Sequence, residues 1–273
     1  MKVEVLTPTI GAEVSGIDLR SASDADFAQV LDAFHTHQVV FFRDQPALTP
    51  HEHNELAKRF GEPHVHPAAP KDREFPQLLV IKADANTKVA AGDRWHSDVS
   101  CDAAPPLASI LQLHTLPPHG GDTLFVSMYA AYEALSDPMK AYLEGLTARH
   151  SGEYSYKKLF KFKKGGLDGG FPTADHPVIR RHPATGKPAL YVNPEFTESL
   201  NGIPPEESEA ILNFLYRHAE KVSFQVRFRW TPNAIAIWDN RCTMHHAIWD
   251  YWPAERRGHR ISVTGEVPEL YRA

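Results

Sequence analysis

Ser223-Phe224-Gln225-Val226-Arg227-Phe228-Arg229-Trp230 is followed at once by Asn233-Ala234-Ile235-Ala236-Ile237-Trp238, and the two runs decide the fold. Apolar and polar residues alternate along the first, as on a strand with one buried face; the second is an apolar run of strand length. With residues 259–265 they make the carboxy-terminal third β. Working outward, residues 38–42, 78–81, 107–113, 123–126 and 189–192 also read as strands, most of them bounded by Pro or Gly. Helical spacing appears over 23–37, where Ser23 is a cap and Phe27, Val30, Leu31 and Phe34 share a face. Thr49-Pro50 opens a second helix with Leu56, Ala57 and Phe60 as its buried side. Two more are expected over 130–146, broken or restarted by Pro138, and over 205–221.

Many short strands with irregular insertions favour a mainly β chain with peripheral helices, a sandwich or jelly roll rather than a doubly wound parallel sheet. There is no internal repeat or low-complexity tract, so residues 1–273 read as a single domain. Residues 151–175 stand apart, with Lys157, Lys158, Lys161, Lys163 and Lys164 and then Gly165-Gly166 and Gly169-Gly170. They form either a solvated surface loop or a lid that folds over a site and helps attract an anion.

Composition narrows the class. The chain has 273 residues, 42% hydrophobic and 23% charged, enough for a sizeable core. A net charge of −5 gives no basic field for nucleic acid or an anionic membrane surface. Two cysteines, Cys101 and Cys242, are too few for a disulfide framework, and Cys242 reads as a small buried hydrophobe. No signal-like or membrane-spanning apolar run is present, so the expectation is a cytoplasmic protein that acts on a small molecule, with a homo-oligomer left open.

The chemistry centres on Trp95-His96-Ser97-Asp98. On an extended backbone residues i and i+2 share a face, so His96 and Asp98 could converge on one ion, with a remote His from Cys242-Thr243-Met244-His245-His246 as a third ligand. Two imidazoles and a carboxylate on one face of an octahedron leave three positions open, the arrangement of non-heme Fe(II) oxygenases. The pattern His-x-Asp/Glu is loose: with 16 His and 34 acidic residues, chance gives roughly two matches. Three occur. His53/Glu55 and His218/Glu220 fall in helical segments, where i and i+2 diverge by about 200°, and read as solvated helix residues. Only His96/Asp98 falls in a stretch, 94–100, that reads as extended.

Several ordered landmarks give the chain a wider resemblance. Gly11-Ala12-Glu13-Val14-Ser15-Gly16-Ile17-Asp18-Leu19, His37-Gln38-Val39-Val40-Phe41-Phe42-Arg43, Trp95-His96-Ser97-Asp98, Gly120-Gly121-Asp122-Thr123, Ala236-Ile237-Trp238-Asp239-Asn240-Arg241 and the closing stretch 256–260 are similar to the taurine dioxygenase (TauD/TfdA) family of Fe(II)/2-oxoglutarate-dependent dioxygenases. The resemblance implies a double-stranded β-helix, a cupin-like jelly roll, with Fe(II) on His96, Asp98 and His245, and with O2 and 2-oxoglutarate as cosubstrates. Within the His pair it selects His245, and neighbours on a strand face opposite ways, so His246 should point out. It places the distal carboxylate of 2-oxoglutarate on Arg256 with help from Thr123, as a planar, permanent cation suits a carboxylate. His66 and Arg260 match residues that meet the substrate's anionic head group, and Val99 joins them in the substrate set. Gly92 stands where taurine-type members carry an Asn, and Ala69 replaces an aromatic residue. A retained anion clamp in a roomier pocket points to a larger sulfonate, a sulfate ester, an aryloxy acid or another carboxylate. Trp95 and Trp238 are expected to wall the site. Two other classes fit parts of the pattern: a zinc-type hydrolase, which would leave Arg256 and Thr123 without a shared purpose, and a noncatalytic jelly-roll anion binder.

Overall fold

The computed structural model describes residues 1–66, 69, 74–159 and 170–272, with the backbone alone at 158 and 159. Two β-sheets face one another at its centre. The larger has eight strands, and Val39–Phe42, Ile235–Asp239, Ala108–Thr115 and Arg256–Val263 run side by side through its middle. The smaller sets Thr123–Ser127 between Gln225–Phe228 and Thr243–Ala247, and all of these pairings are antiparallel. This is the double-stranded β-helix that the resemblance implied.

Side-chain alternation decides what each face meets. Val39 and Phe41, with Leu111, Leu113, Ala236 and Trp238, point to the smaller sheet and pack on Phe125, Val226 and Phe228. Phe41 stacks on Phe228 with ring centroids 4.0 Å apart. Val40, Phe42, Ile110, Ile235, Ile237 and Ile261 face the other way, onto Asp24–His37 and Pro50–Lys58. Outside the smaller sheet, Val126 and Met244 meet Met128, Leu212 and Leu215. Central strands are thus apolar on both faces, and each large side chain at these seams contributes on the order of 2–3 kcal/mol by leaving water.

Helix starts follow local chemistry. Ser23 and Asp26 form a reciprocal capping box, and so do Thr49 and Glu52. Pro138 sits in the first turn of Asp137–Leu143, after Met128–Glu133 has already ended, so it starts a helix instead of kinking one. Among the described residues no helix is long and apolar enough to cross a membrane.

Three expectations change. The strand expected over 259–265 begins earlier, at Arg256, which places Arg256 and Arg260 on one strand. His53 and His218 are buried, not solvated: His53 Nε2 lies 3.1 Å from the Ile110 carbonyl and His218 Nε2 2.8 Å from that of Ala131. Each ring satisfies a backbone acceptor that local sequence cannot show. Within 151–175, the ends form the helix Glu153–Leu159 and the strand Thr173–Pro177, while Lys161, Lys163, Lys164, Gly165, Gly166 and Gly169 lie outside the described residues.

Candidate metal and 2-oxoglutarate site

His96 joins His245 through an isolated antiparallel bridge, with His96 N donating to His245 O at 3.1 Å and His245 N to His96 O at 2.8 Å. The bridge puts the rings 4.1 Å apart, centroid to centroid. Asp98 Oδ1 stands 3.7 Å from His96 Nε2 and 3.9 Å from His245 Nε2. All three residues are buried. His246, next in the Thr243–Ala247 strand, points out to Asp93, 3.1 Å away, as strand alternation requires.

The ligand pair is not on a strand, contrary to expectation. Beyond His96 the chain enters a turn at Asp98, and Val99 adopts φ 47°. A β-branched residue in the left-handed region costs on the order of 1–3 kcal/mol and persists only where packing imposes it. Here Val99 is packed with Cys101, Tyr156 and Phe196, and Asp102 N closes the turn on Val99 O at 3.0 Å. What converges the two side chains is the bridge plus this turn.

Electrostatics leave the three groups in ligand form. His96 Nδ1 donates to the Arg94 carbonyl at 2.7 Å, so Nε2 presents its lone pair to Asp98. Burial pushes both imidazoles below the ordinary range, that of His245 further lowered by His96. Burial alone would raise the Asp98 carboxyl, but the Arg260 guanidinium above all, with the Ser109 hydroxyl, holds it well below the usual carboxylate range. Two neutral imidazoles and a carboxylate within 4.8 Å of one another suit a divalent cation.

Arg256 is 4% exposed. Its Nε donates to Gly121 O at 3.0 Å and its Nη2 to Thr123 Oγ1 at 3.3 Å; Trp230 Nε1 also donates to that hydroxyl, at 3.0 Å. Among the described residues no carboxylate forms an ion pair with it. Burial lowers its ordinary basicity, the sign of a desolvated cation. Gly121, at φ 72°, is required there: a Cβ would stand 3.2 Å from Arg256 Cδ.

A cavity of about 350 Å³ joins Arg256 and Thr123 to the triad and continues past His66, Val99, Phe196 and Arg260. Arg260 Nη1 donates to Asp98 Oδ1 at 2.5 Å, and the guanidinium keeps other N–H groups beyond this one. His66 is held to about 4, first by burial and then by the positive charge of Arg260. Gly92 lines the cavity at φ 86°; a Cβ would sit 3.5 Å from Ala247 Cβ, so backbone conformation and not space favours glycine. Ala69 is half-buried and not among the lining residues. Trp238 walls the site, 4.7 Å from the His245 ring, whereas Trp95 does not: it packs in the outer core and edge-on to His246. Sequence reading missed Tyr154, Ser155 and Tyr156, which the Glu153–Leu159 helix brings to the cavity, and Phe196 from a loop. The lid reading of 151–175 points to the first segment but to no residue in it, and the second carries no chemical motif.

A jelly roll that joins two imidazoles, one carboxylate and a buried, carboxylate-free guanidinium in a single cavity has the parts of a metal- and oxo-acid-dependent oxygenase. Comparison with known proteins is specific. The family described as taurine catabolism dioxygenase TauD, TfdA family matches residues 2–262. An alkylsulfatase of Acinetobacter baylyi is 36% identical, covering 98% of this chain and 86% of its own length. An alpha-ketoglutarate-dependent sulfate ester dioxygenase of Pseudomonas putida is 34% identical over 98% of this chain and 91% of its own. The crystal structure of AAD-2 with Mn(II) and N-oxalylglycine superposes with a TM-score of 0.86 at 26% identity, over 100% of both chains. The chain belongs to the TauD, TfdA family. It is an Fe(II)/2-oxoglutarate-dependent dioxygenase that uses Fe(II), 2-oxoglutarate and O2.

Proposed function

We propose that the enzyme hydroxylates a C–H bond of a small organic anion, a sulfonate, alkyl sulfate, aryloxy acid or other carboxylate, while 2-oxoglutarate is converted to succinate and CO2. One observation carries the assignment of parts: Arg256 is a buried cation with no carboxylate partner among the described residues, opening on the same cavity as the triad. A buried cation with no carboxylate partner favours an anionic guest. Its planar donors suit the distal carboxylate of 2-oxoglutarate, with Thr123 as the second polar contact.

His96, Asp98 and His245 would hold Fe(II). When bound, it supplies the coordination positions at which 2-oxoglutarate and O2 are activated for C–H oxidation. The chain's own groups bind, orient and exclude water. Val99, Phe196 and Trp238 supply apolar walls, and Arg260 with neutral His66 offers N–H groups to an anionic head group. When the oxidised carbon bears a sulfate ester oxygen or a sulfonate, the hydroxylated product collapses to a carbonyl compound and expels the inorganic anion. The helix Glu153–Leu159 at the cavity supports reading its segment as a cover over the site. The larger sheet draws strands from both ends of the chain, Lys2–Val5 and Arg256–Val263, which supports one domain.

The test is a panel of sulfonates, alkyl sulfates, aryloxy acids and amino acids with Fe(II), ascorbate and 2-oxoglutarate, scored by succinate above the uncoupled background. An anionic substrate should raise succinate and lose most of that gain in Arg260→Ala. Equal loss for charged and neutral substrates would refute the anion clamp.

A further inference from the structure

The two oxygens of Asp98 have different surroundings. Oδ1 faces His96 Nε2 and His245 Nε2 and accepts from Arg260. Oδ2 accepts a 2.7 Å hydrogen bond from Ser109 Oγ. Ser109 comes from the Ala108–Thr115 strand and is fully buried. Its oxygen accepts from Asn240 Nδ2 at 3.0 Å and lies 2.9 Å from Ser262 Oγ. A carboxylate can only accept, so the single Ser109 proton is committed to Asp98 and Ser262 must donate to Ser109. Asn240 Oδ1 in turn accepts from Asp98 N at 3.2 Å and from Trp238 Nε1 at 3.0 Å.

Every proton in this chain of contacts has one direction, and its members come from separate strands and turns of the larger sheet. Ser109, Asn240 and Ser262 are all buried. A carboxylate offering both oxygens to an ion would occupy two positions; one oxygen leaves three open beside the imidazoles, the number that a two-atom oxo acid and O2 require. We propose that Ser109, held by Asn240 and Ser262, is a positioning residue that occupies Asp98 Oδ2 and so leaves Oδ1, which Arg260 also meets, as the one oxygen turned to the ion. This rests on the reading of His96, Asp98 and His245 as the ligands.

Co(II) titration of the metal-free protein, without 2-oxoglutarate or turnover and followed by visible absorption, tests it in the parent, Ser109→Ala, Ser262→Ala and His245→Ala. His245→Ala should lose the Co(II) spectrum. Ser109→Ala should bind Co(II) about 10–100-fold more weakly, with an altered visible band, as expected for loss of a hydrogen bond behind a ligand. Ser262→Ala should weaken it less but by more than twofold. A hydroxyl that merely satisfies the core would lower the melting temperature of the metal-free protein and leave affinity and spectrum alone. Ser109→Ala within twofold of the parent, with the same spectrum, overturns the proposal. If that variant does not fold, Ser262→Ala decides by the same twofold criterion. If His245→Ala binds Co(II) like the parent, the ligand reading fails, and this proposal with it.

Discussion

Among the described residues lie two buried clusters of metal-ligating residue types, His96–Asp98–His245 and His182–Asp239–Cys242, each with its ligand atoms within 4.8 Å of one another. Both have an aspartate held well below the usual carboxylate range, and both have an arginine beside it, Arg260 or Arg241. The difference is saturation. In the second cluster Arg241 takes both Asp239 oxygens, at 2.8 and 2.7 Å, and His182 Nε2 lies 3.0 Å from Oδ2. Thr185 N donates to the other His182 nitrogen, and burial pushes the Cys242 thiol up, away from a thiolate. Nothing there is left to offer, and the cavity that holds the first cluster does not reach it. In the first cluster two Nε2 atoms remain aimed at a common cavity, beside an Asp98 Oδ1 that meets a single Arg260 N–H. Burial and a depressed carboxylate are thus common to a structural knot and a candidate site; unsatisfied lone pairs facing a cavity separate them.

Five substitutions sharpen this contrast. Ala at His96, Asp98 or His245 should abolish succinate formation in a folded protein; full activity in any one would remove that residue from the set. Arg256→Ala should raise the 2-oxoglutarate concentration needed for half-maximal rate about 100-fold, because a buried charge-assisted pair with the guest is lost. An unchanged requirement would move that role elsewhere. His182→Ala should do the reverse of the triad variants, lowering unfolding stability by about 2–3 kcal/mol through a lost charged hydrogen bond and a void, with Co(II) affinity retained. Denaturant unfolding and metal titration on the same preparation check both halves.

Histidines outside both clusters set the smallest effect. His53 is fully buried, and desolvation lowers it to about 4. Since the unfolded ring titrates near 6.5, the unfolded state binds more protons between those values. The contribution of neutral His53 is therefore complete above pH 6.5 and lost as pH falls toward 4, about 2 kcal/mol by pH 5. His53→Gln should flatten the pH 5–7 stability profile by that amount relative to the parent, and identical slopes would refute the assignment.

How much of this was legible in the sequence differs by level. Capping residues Ser23 and Thr49, the apolar strands of the larger sheet and the restart at Pro138 follow from local chemistry and appear as read. His245 over His246 follows from family pattern and strand alternation together. The reason for preferring His96/Asp98 was only partly right. The segment is not extended beyond His96, because Val99 is held at positive φ by packing with Tyr156 and Phe196, residues far away in the chain. His53 and His218 look like surface residues of amphipathic helices until the Ile110 and Ala131 carbonyls that they satisfy are known. The Ser109–Asn240–Ser262 network is invisible for the same reason: three unremarkable polar residues acquire a role only when two strands and a turn meet.

The most direct test of the site is the absorption difference spectrum of the anaerobic protein with Fe(II) and 2-oxoglutarate. A weak visible metal-to-ligand charge-transfer band is expected in the parent and in His182→Ala, and none in His245→Ala. A band of parental intensity in His245→Ala, or its loss in a folded His182→Ala, would contradict the assignment of the open cluster as the metal centre.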